Sequence, residues 1–313
     1  MSIAFIFPGQ GSQAVGMGKA LHDAFASSRA VFEEVDAALG QNLSKLMFEG
    51  PGDELMLTSN AQPALMAVSL AALRALEVEK GLDLKRDIAY VAGHSLGEYS
   101  ALAAAGALSI SDTAKLLRIR GDAMQQAVPV GLGGMAALIG ADKALAAEVA
   151  REAAQGEVCE VANDNGGGQV VISGHKTAID RAIVIAGTKG IRRALPLSVS
   201  APFHCSLMQP SADVMAAALA KAVVNAPRVP LVSNVLASAI TDPDDIRRRL
   251  VEQVTGTVRW AESMTYLGHQ GVTRFVEIGS GKVLSGLLKR IVEGAVTGNV
   301  GSPDDVAGFC EVT

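Results

Sequence analysis

A serine lies at the centre of the segment GHSLG, residues 93–97, between an apolar run that predicts a strand and an alanine-rich run that predicts a helix. Strand, tight turn and helix in this order are the context of a nucleophile elbow. The flanking glycines let the chain turn sharply, so Ser95 would carry its hydroxyl at the tip of the turn, beside the next backbone amide. The pattern predicts a serine nucleophile for acyl chemistry, and an ordinary tight turn is the alternative.

A serine nucleophile needs a base, and the chain has five histidines. We expect His22 and His269 on helix surfaces and His175 at a turn. His94 precedes the serine in the turn, so its side chain should point away as an orienting or packing group. His204, where the chain is expected to re-enter the large domain, is the favoured base. Its alternative is a buried, hydrogen-bonded histidine.

One predicted helix carries two arginines that are two positions apart and so do not share a face. Arg118 has Asp122 four residues later and is expected to form a solvated pair with it. Arg120 has Leu116 and Met124 four residues to either side, which places it on the apolar face. A guanidinium buried without a local partner predicts a clamp for a ligand carboxylate; a buried structural ion pair is the alternative.

The segment GQGSQA at residues 9–14 follows the first predicted strand and matches the dinucleotide fingerprint G-x-G-x-x-A. Pro8 interrupts that turn, and Glu33 and Glu34 lie inside a helical pattern, not at a strand end. We therefore interpret the loop as a source of backbone amides near the active site. A dinucleotide-binding module stays an alternative, as does a serine hydrolase or thioesterase, which would need a catalytic acid between Ser95 and His204.

Composition limits the classes of protein to which the chain can belong. It has 313 residues, 49% apolar and 19% charged, with 27 basic and 32 acidic side chains and a net charge of -5. The apolar content excludes a disordered chain, and the absence of a basic cluster argues against a nucleic-acid partner. The length exceeds what one minimal core needs, so we expect a large α/β domain with a smaller one.

Neither a membrane span nor a signal peptide is expected. The uncharged runs at 55–73 and 123–141 contain prolines, glycines, amides or hydroxyls that a bilayer core would not accept. The first seven residues lack a basic region and a long apolar stretch. Three scattered cysteines, Cys159, Cys205 and Cys310, argue against a disulfide scaffold and favour a cytoplasmic location.

Short apolar runs alternate with helical patterns, which predicts a parallel sheet covered on both faces. Strands are predicted at 3–7, 88–92, 231–235 and 274–278, and helices at 30–39, 63–76, from about 98, 112–126, 208–224, 244–254, 260–267 and 283–292. Between 135 and 197 the order is β-α-β-β-α-β, typical of a ferredoxin-like domain. We predict a large α/β domain of residues 1–127 and 198–313 with a small domain, 128–197, inserted; the tail from Val300 should be loosely held.

Five motifs stand in the order of a known family: FPGQGSQ at 7–13, GHSLGEY at 93–99, Arg-Gly at 120–121, QVVISG at 169–174 and VRW at 258–260. Across nearly its whole length the chain resembles the malonyl-CoA:acyl carrier protein transacylases of type II fatty acid synthesis. The resemblance implies a hydrolase-like α/β core with a ferredoxin-like insert. It also implies ping-pong transfer of a malonyl group from malonyl-CoA to the phosphopantetheine thiol of acyl carrier protein.

The resemblance also implies a role for several residues. Ser95 would be the acylated nucleophile and His204 its base, oriented by the main-chain carbonyl of Gln253, so that the pair forms a dyad without a catalytic acid. The family often has Asn-Pro before its Val-Arg-Trp, whereas Gly256 and Thr257 stand there in this sequence.

The remaining roles concern the substrate. By resemblance, the amides of Gln10 and Leu96 would form the oxyanion hole and Arg120 would bind the malonyl carboxylate. Phe203 directly precedes the base, so its ring should line the acyl pocket. We expect no metal and no cofactor, malonyl-CoA being a substrate, and no membrane partner.

Overall fold

The computed structural model describes residues 2–309; Met1 and residues 310–313, which include Cys310, lie outside the described part. The strands are β1 (Ser2–Phe7), β2 (Tyr90–Gly93), β3 (Gly133–Ile139), β4 (Cys159–Asp164), β5 (Gln169–His175), β6 (Arg193–Pro196), β7 (Leu231–Val232), β8 (Ala239–Ile240), β9 (Val272–Ile278) and β10 (Val296–Val300).

The α-helices of the described part are α1 (Lys19–Ala24), α2 (Ala26–Leu39), α3 (Leu43–Glu49), α4 (Gly52–Met56), α5 (Thr58–Lys80), α6 (Leu84–Asp87), α7 (Leu96–Ala104), α8 (Ile110–Gln126), α9 (Lys143–Ala154), α10 (Lys176–Thr188), α11 (Gln209–Lys221), α12 (Pro243–Thr255), α13 (Trp260–His269), α14 (Val283–Leu288) and α15 (Pro303–Gly308). A short 3-10 helix, Ser206–Met208, precedes α11.

The larger sheet has six strands in the order β10-β9-β1-β2-β7-β8, and all neighbours are parallel except β7 and β8. The predicted α/β class with a mostly parallel sheet is therefore confirmed. β1 and β2 lie side by side with Phe7 opposite Gly93, so both strands end at the same edge. Functional loops of such sheets gather at the carboxyl ends of the strands, and here this edge brings the loop after β1 next to the turn after β2.

Helix α5 is the longest element of the described residues, and its residues from Thr58 to Leu73 are all buried. Among the helices of residues 2–309, it alone is long and apolar enough to cross a membrane, but 83% of its most apolar stretch is buried inside the protein. A helix that is apolar on every side belongs in a core or a bilayer. The packing of α5 against α2 and α8 makes it a core helix.

The second sheet has four antiparallel strands in the order β4-β5-β3-β6, with helices α9 and α10 packed on it. Successive side chains of β3 point to opposite faces. Ala136 and Leu138 pack in a separate apolar cluster with the two helices, whereas Met135 and Ala137 belong to the main core. One face of the small sheet therefore packs against helices α9 and α10, and the opposite face packs against the main core.

The structure corrects three expectations from the sequence. Helix α8 begins at Ile110 and not at the predicted residue 112, because Ser109 accepts a hydrogen bond from the Asp112 amide and caps the helix there. The predicted strand at 231–235 stops at Val232 and continues as the β7–β8 hairpin. The tail from Val300 is ordered as far as it is described, since β10 pairs with β9 and Phe309 packs edge-on against Phe5.

Candidate active site

Ser95 occupies the turn between β2 and α7 with φ 53° and ψ -112°. A Cβ added at Gly93 would lie 1.9 Å from the carbonyl oxygen of Gly97, and one added at Gly97 would lie 2.2 Å from the carbonyl oxygen of Phe7. Real Cβ atoms do not approach backbone atoms so closely, so both positions require glycine. The turn thus has the geometry of a nucleophile elbow, with Ser95 at its tip.

His204 lies directly against this serine. Its Nε2 atom is 2.8 Å from Ser95 Oγ, and its Nδ1 atom is 2.8 Å from the carbonyl oxygen of Gln253. A carbonyl only accepts hydrogen bonds, so Nδ1 carries the proton and Nε2 is left to accept from the serine hydroxyl. Gln253 lies in the last turn of α12, where carbonyl groups have no partner within the helix.

Burial keeps the imidazole uncharged. It lowers the pKa of His204 to about 3, and the positive charge of Arg120 acts in the same direction. A histidine in this state is neutral throughout the physiological range. The neutral imidazole can therefore accept the proton of the Ser95 hydroxyl without first losing a proton of its own.

Arg120 brings a positive charge to the same place. It is 1% exposed, and its guanidinium donates to Gln62 Oε1 at 2.8 Å, to Gln253 Oε1 at 2.8 Å and to Ser95 Oγ at 3.1 Å. All three acceptors are neutral, and within the described part of the chain its Nε has no hydrogen-bond partner. A buried guanidinium with spare donor capacity can bind an anionic ligand.

These groups open into one cavity of about 380 Å³ between the two sheets. Gln10, in the loop after β1, and Leu96, the first residue of α7, line it together with Ser95. The amide of Leu96 is one of the first four of its helix, which have no intrahelical acceptor. Phe203, 9% exposed, and Met135 supply apolar surface. The residues predicted as the nucleophile, the base, the amide donors of the oxyanion hole, the carboxylate-binding arginine and the wall of the acyl pocket therefore all line this cavity.

Comparison with known proteins supports an assignment to a family. A family model for the acyl transferase domain matches residues 4–302. Malonyl CoA-acyl carrier protein transacylase of Escherichia coli K12 is 46% identical over 309 residues, 99% of each chain, and that of Bacillus subtilis 168 is 45% identical over 305 residues, 97% of this chain and 95% of the relative. This chain belongs to the malonyl-CoA:acyl carrier protein transacylase family.

Solved structures of transacylase family members agree with the fold. The acyl-carrier-protein-S-malonyltransferase of Bartonella henselae superposes with a TM-score of 0.96 at 53% identity, over 98% of both chains. A malonyl-transacylase in complex with its type II polyketide acyl-carrier protein superposes with a TM-score of 0.94 at 41% identity, again over 98% of both chains. The chain is an acyltransferase.

Two further residues of this transacylase family member organise the site and were not singled out from the sequence. Asn234, after β7, accepts from the Ser95 amide at 2.8 Å and donates to the Gly93 carbonyl at 2.7 Å, so its side chain ties both sides of the elbow. Glu98 is 1% exposed and accepts from Gln253 Nε2 at 2.6 Å. The signal for Glu98 was that it is the one charged residue of helix α7. Asn234 carries no such signal.

The other histidines lie away from the serine hydroxyl. His94 lines the cavity, but its Nε2 is 2.9 Å from Asn165 Oδ1 and its ring lies 5.7 Å from that of Trp260, so it packs and orients. His22, His175 and His269 do not line the cavity. Within residues 2–309 no group of three or more His, Cys, Asp or Glu side chains has the placement of a metal site.

Arg118 makes no direct ion pair with Asp122, although the negative charge of Asp122 still raises the pKa of its guanidinium against the effect of burial. Arg118 donates to Asn60 Oδ1 at 2.8 Å and to Gln41 Oε1 at 2.6 Å. These acceptors come from α5 and from the turn before α3, which tertiary packing brings within reach. An isolated i,i+4 pair contributes only about 0.2–0.5 kcal/mol, so better-placed amide acceptors readily displace it.

Proposed function

We propose that this protein transfers the malonyl group of malonyl-CoA to the phosphopantetheine thiol of acyl carrier protein and so supplies malonyl-ACP for fatty acid synthesis. The observation that carries the proposal is Arg120, whose guanidinium lies 3.1 Å from the nucleophile without an anionic partner among its hydrogen bonds. A malonyl thioester differs from an acetyl thioester by a free carboxylate, which is the group a buried guanidinium binds in bidentate fashion. The names of the relatives point to the same substrates.

In the first half-reaction His204 Nε2 takes the proton of Ser95 Oγ as that oxygen attacks the thioester carbon. The carbonyl oxygen becomes an oxyanion, and the backbone amides of Gln10 and Leu96 are the proposed donors to it. Collapse of the tetrahedral intermediate expels the CoA thiolate, which receives the proton from His204. The malonyl group is then esterified to Ser95.

The second half-reaction uses the same groups in reverse. The phosphopantetheine thiol of the carrier protein enters the cavity and gives its proton to His204 Nε2. The thiolate attacks the ester, the amides again hold the oxyanion, and Ser95 leaves with the proton from His204. Nucleophile, base, amides and guanidinium supply every group that the transfer uses, so we propose a reaction without a cofactor.

The alternatives from the sequence have less support. A serine hydrolase triad would place an Asp or Glu against the base, but His204 Nδ1 meets the backbone carbonyl of Gln253. A dinucleotide would need the loop after β1 to hold a pyrophosphate. That loop packs against the elbow instead, since a Cβ at Gly9 would lie 2.8 Å from the carbonyl oxygen of His94.

We also propose that residues 128–197 form a ferredoxin-like domain inserted into a hydrolase-like core made of residues 1–127 and 198–313. The antiparallel order β4-β5-β3-β6 and the separate apolar cluster of that segment support this division. We propose a cytoplasmic location for the protein, in keeping with its proposed role in fatty acid synthesis.

Intact-mass measurement after mixing with malonyl-CoA tests the proposal. We expect one malonyl adduct, located on Ser95 by peptide mapping, which disappears when holo acyl carrier protein is added. The Ser95→Ala variant should form no adduct. An adduct on another residue, or malonyl exchange by Ser95→Ala at the wild-type rate, would contradict the assignment.

A further inference from the structure

Glu98 is a buried carboxyl group that no step of the proposed transfer uses. It lies in the first turn of α7, three residues after the nucleophile, and is 1% exposed. Gln253 Nε2 donates to its Oε2 at 2.6 Å, and the backbone amide of Asn234 lies 3.4 Å from both of its oxygens. A carboxyl group with so little contact with water requires a compensating charge or a proton.

The side-chain amide of Gln253 joins this carboxyl group to Arg120. Its Nε2 donates to Glu98, and its Oε1 accepts from the guanidinium at 2.8 Å. Only this orientation of the amide satisfies both neighbours, because a carboxylate only accepts hydrogen bonds and a guanidinium only donates them. The buried anion and the buried cation are thus linked across one amide without touching.

This separation leaves Arg120 accessible to the substrate. A direct ion pair with Glu98 would occupy the guanidinium, whereas its present acceptors are the neutral oxygens of Gln62, Gln253 and Ser95. When a malonyl carboxylate binds to Arg120, two negative charges share one buried cation. Like charges in a common site favour protonation of one of them.

We propose that Glu98 is the resting counter-charge of Arg120 and that it takes up one proton from solution when the carboxylate of malonyl-CoA binds to Arg120. The inference rests on the proposed malonyl transfer. The proton adds to a carboxylate oxygen of Glu98, and no bond of the substrate breaks. The buried group of charges therefore keeps the same net charge before and after the substrate binds.

Glu98 titrates in the range where such an exchange is possible. Burial raises its pKa to about 7, although the hydrogen bond from Gln253 and the charge of Arg120 both lower it. The polar groups that face it come from four elements: Arg120 of α8, Tyr99 of its own helix, Gln253 of α12, and Ser233 and Asn234 after β7.

The other titratable groups of the site do not compete for this proton. Burial raises the pKa of Tyr99 to about 12, lowers that of His204 to about 3 and also lowers that of His94. A carboxylate bound at Arg120 raises the pKa of Glu98 further, so uptake is expected from about pH 7 upwards. Because binding takes up a proton, the affinity for malonyl-CoA should fall as the pH rises through that window.

Calorimetric titration of the Ser95→Ala variant measures the uptake without turnover. Malonyl-CoA is titrated at about pH 7.5 in two buffers of different ionisation enthalpy, and acetyl-CoA serves as the ligand without a carboxylate. We expect about half a proton or more per bound malonyl-CoA and none per bound acetyl-CoA.

The Ser95→Ala/Glu98→Gln protein identifies the group that is protonated. It should bind malonyl-CoA without proton uptake and, at about pH 8.5, about tenfold more tightly than Ser95→Ala alone, since a competing charge is removed. Ser95→Ala/Glu277→Gln is the matched control. Glu277 is also fully buried with its pKa raised by burial, but it accepts from the amides of Leu284 and Ser285 and not from Gln253, so uptake should persist.

Three results would overturn the inference: malonyl-CoA binds without proton uptake, acetyl-CoA causes the same uptake, or uptake persists in the Glu98→Gln protein. If malonyl-CoA binds to Ser95→Ala no more tightly than acetyl-CoA, the proposed function itself is contradicted. If the Glu98→Gln protein does not fold, the test uses Ser95→Ala alone. The inference is then contradicted if malonyl-CoA binds without proton uptake or if acetyl-CoA causes the same uptake.

Discussion

Ser95 and His204, whose side chains are in contact, both have positive backbone φ angles. The Oγ and Nε2 atoms are 2.8 Å apart, and the φ angles are 53° at the serine and 57° at the histidine. Non-glycine residues in this region cost of order 1–3 kcal/mol each and persist only where the surrounding structure imposes them. The distance between the proposed nucleophile and its proposed base is therefore set by the backbone as well as by side-chain rotamers.

Replacing His204 with alanine should slow acylation by malonyl-CoA and deacylation by acyl carrier protein, each by about 100-fold or more, because one base serves both steps. Rapid-quench measurement of the two half-reactions checks this. The His269→Ala variant, changed at the exposed end of α13, is the control and should keep the wild-type rates. If only one half-reaction slows, the other uses a second base, and His94 becomes the first candidate.

The low pKa of His204 predicts the pH dependence of acetyl transfer. With the pKa at about 3, the imidazole stays neutral and able to accept a proton on acidification from about pH 8 to about pH 5. We expect kcat/KM for acetyl-CoA, which lacks the carboxylate, to stay level across this range. A fall with a midpoint near pH 6.5 that persists in the Glu98→Gln variant, which lacks the carboxyl group with a pKa of about 7, would mean that the histidine titrates as an ordinary exposed one.

Replacing Arg120 with alanine should separate malonyl from acetyl transfer. Malonyl transfer should lose about 3 kcal/mol or more, on the order of 100-fold in kcat/KM, because the carboxylate would be buried without a partner. Acetyl transfer should be unchanged or faster. The measurement is the ratio of the two rates in the wild type and the variant.

Arg118→Ala is the matched control on the same helix. Its guanidinium binds Asn60 and Gln41 outside the cavity, so both transfers should stay near the wild-type rates. A parallel fall of both rates in Arg120→Ala would instead make Arg120 part of a structural network.

Phe203 should restrict the acyl pocket beside the malonyl methylene carbon. One additional methyl group in such a pocket is worth about 1–3 kcal/mol, so we expect the wild type to prefer malonyl over methylmalonyl and Phe203→Ala to lose most of that preference. A competition assay with both thioesters measures it. Phe309→Ala, a change at an equally buried ring outside the cavity, should keep the preference.

Asn234→Ala should weaken the elbow. The Ser95 amide and the Gly93 carbonyl would each lose a buried partner, at a cost of about 1–3 kcal/mol of stability per unsatisfied group. We also expect acylation to slow, since the nucleophile is no longer held in position. Chemical denaturation and acylation rates check both effects, with Asn299→Ala at the edge strand β10 as the control. Unchanged stability would show that the turn keeps its conformation without the hydrogen bonds of the Asn234 side chain.

Local sequence patterns were enough to predict the elbow and the mostly parallel sheet. The GHSLG segment carries its own steric reason, because glycine is required at Gly93 and Gly97 by contacts with neighbouring backbone. Helices α1, α3, α4, α6 and α15 have seven residues or fewer, too short for an apolar periodicity to reveal them, whereas α14, with six, was predicted because the apolar pattern continues beyond it to residue 292. The hairpin that shortens β7 depends on the antiparallel partner β8, which the apolar pattern of 231–235 does not show.

The hydrogen-bond network of the site depends on long-range contacts that sequence patterns do not encode. Gln253 meets Glu98 from 155 residues away and Arg120 from 133 residues away. Its backbone role was accessible only through the family resemblance. Asn234 reaches the elbow across 139 residues and gave no periodic or compositional signal.

Strand β3 places successive side chains in two different environments. Met135 lines the cavity, while Ala136 and Leu138 pack with the helices of the small sheet. On β5, Val171 lines the cavity while Val170 and Ile172 belong to the small-sheet cluster. Met135 and Val171 are also buried in the main core, so a substitution at either position changes the wall of the acyl cavity and the core packing together. The side chains beside them, which pack the small sheet on its helices, keep their contacts, so the cost of a new substrate range falls on one face of the sheet only.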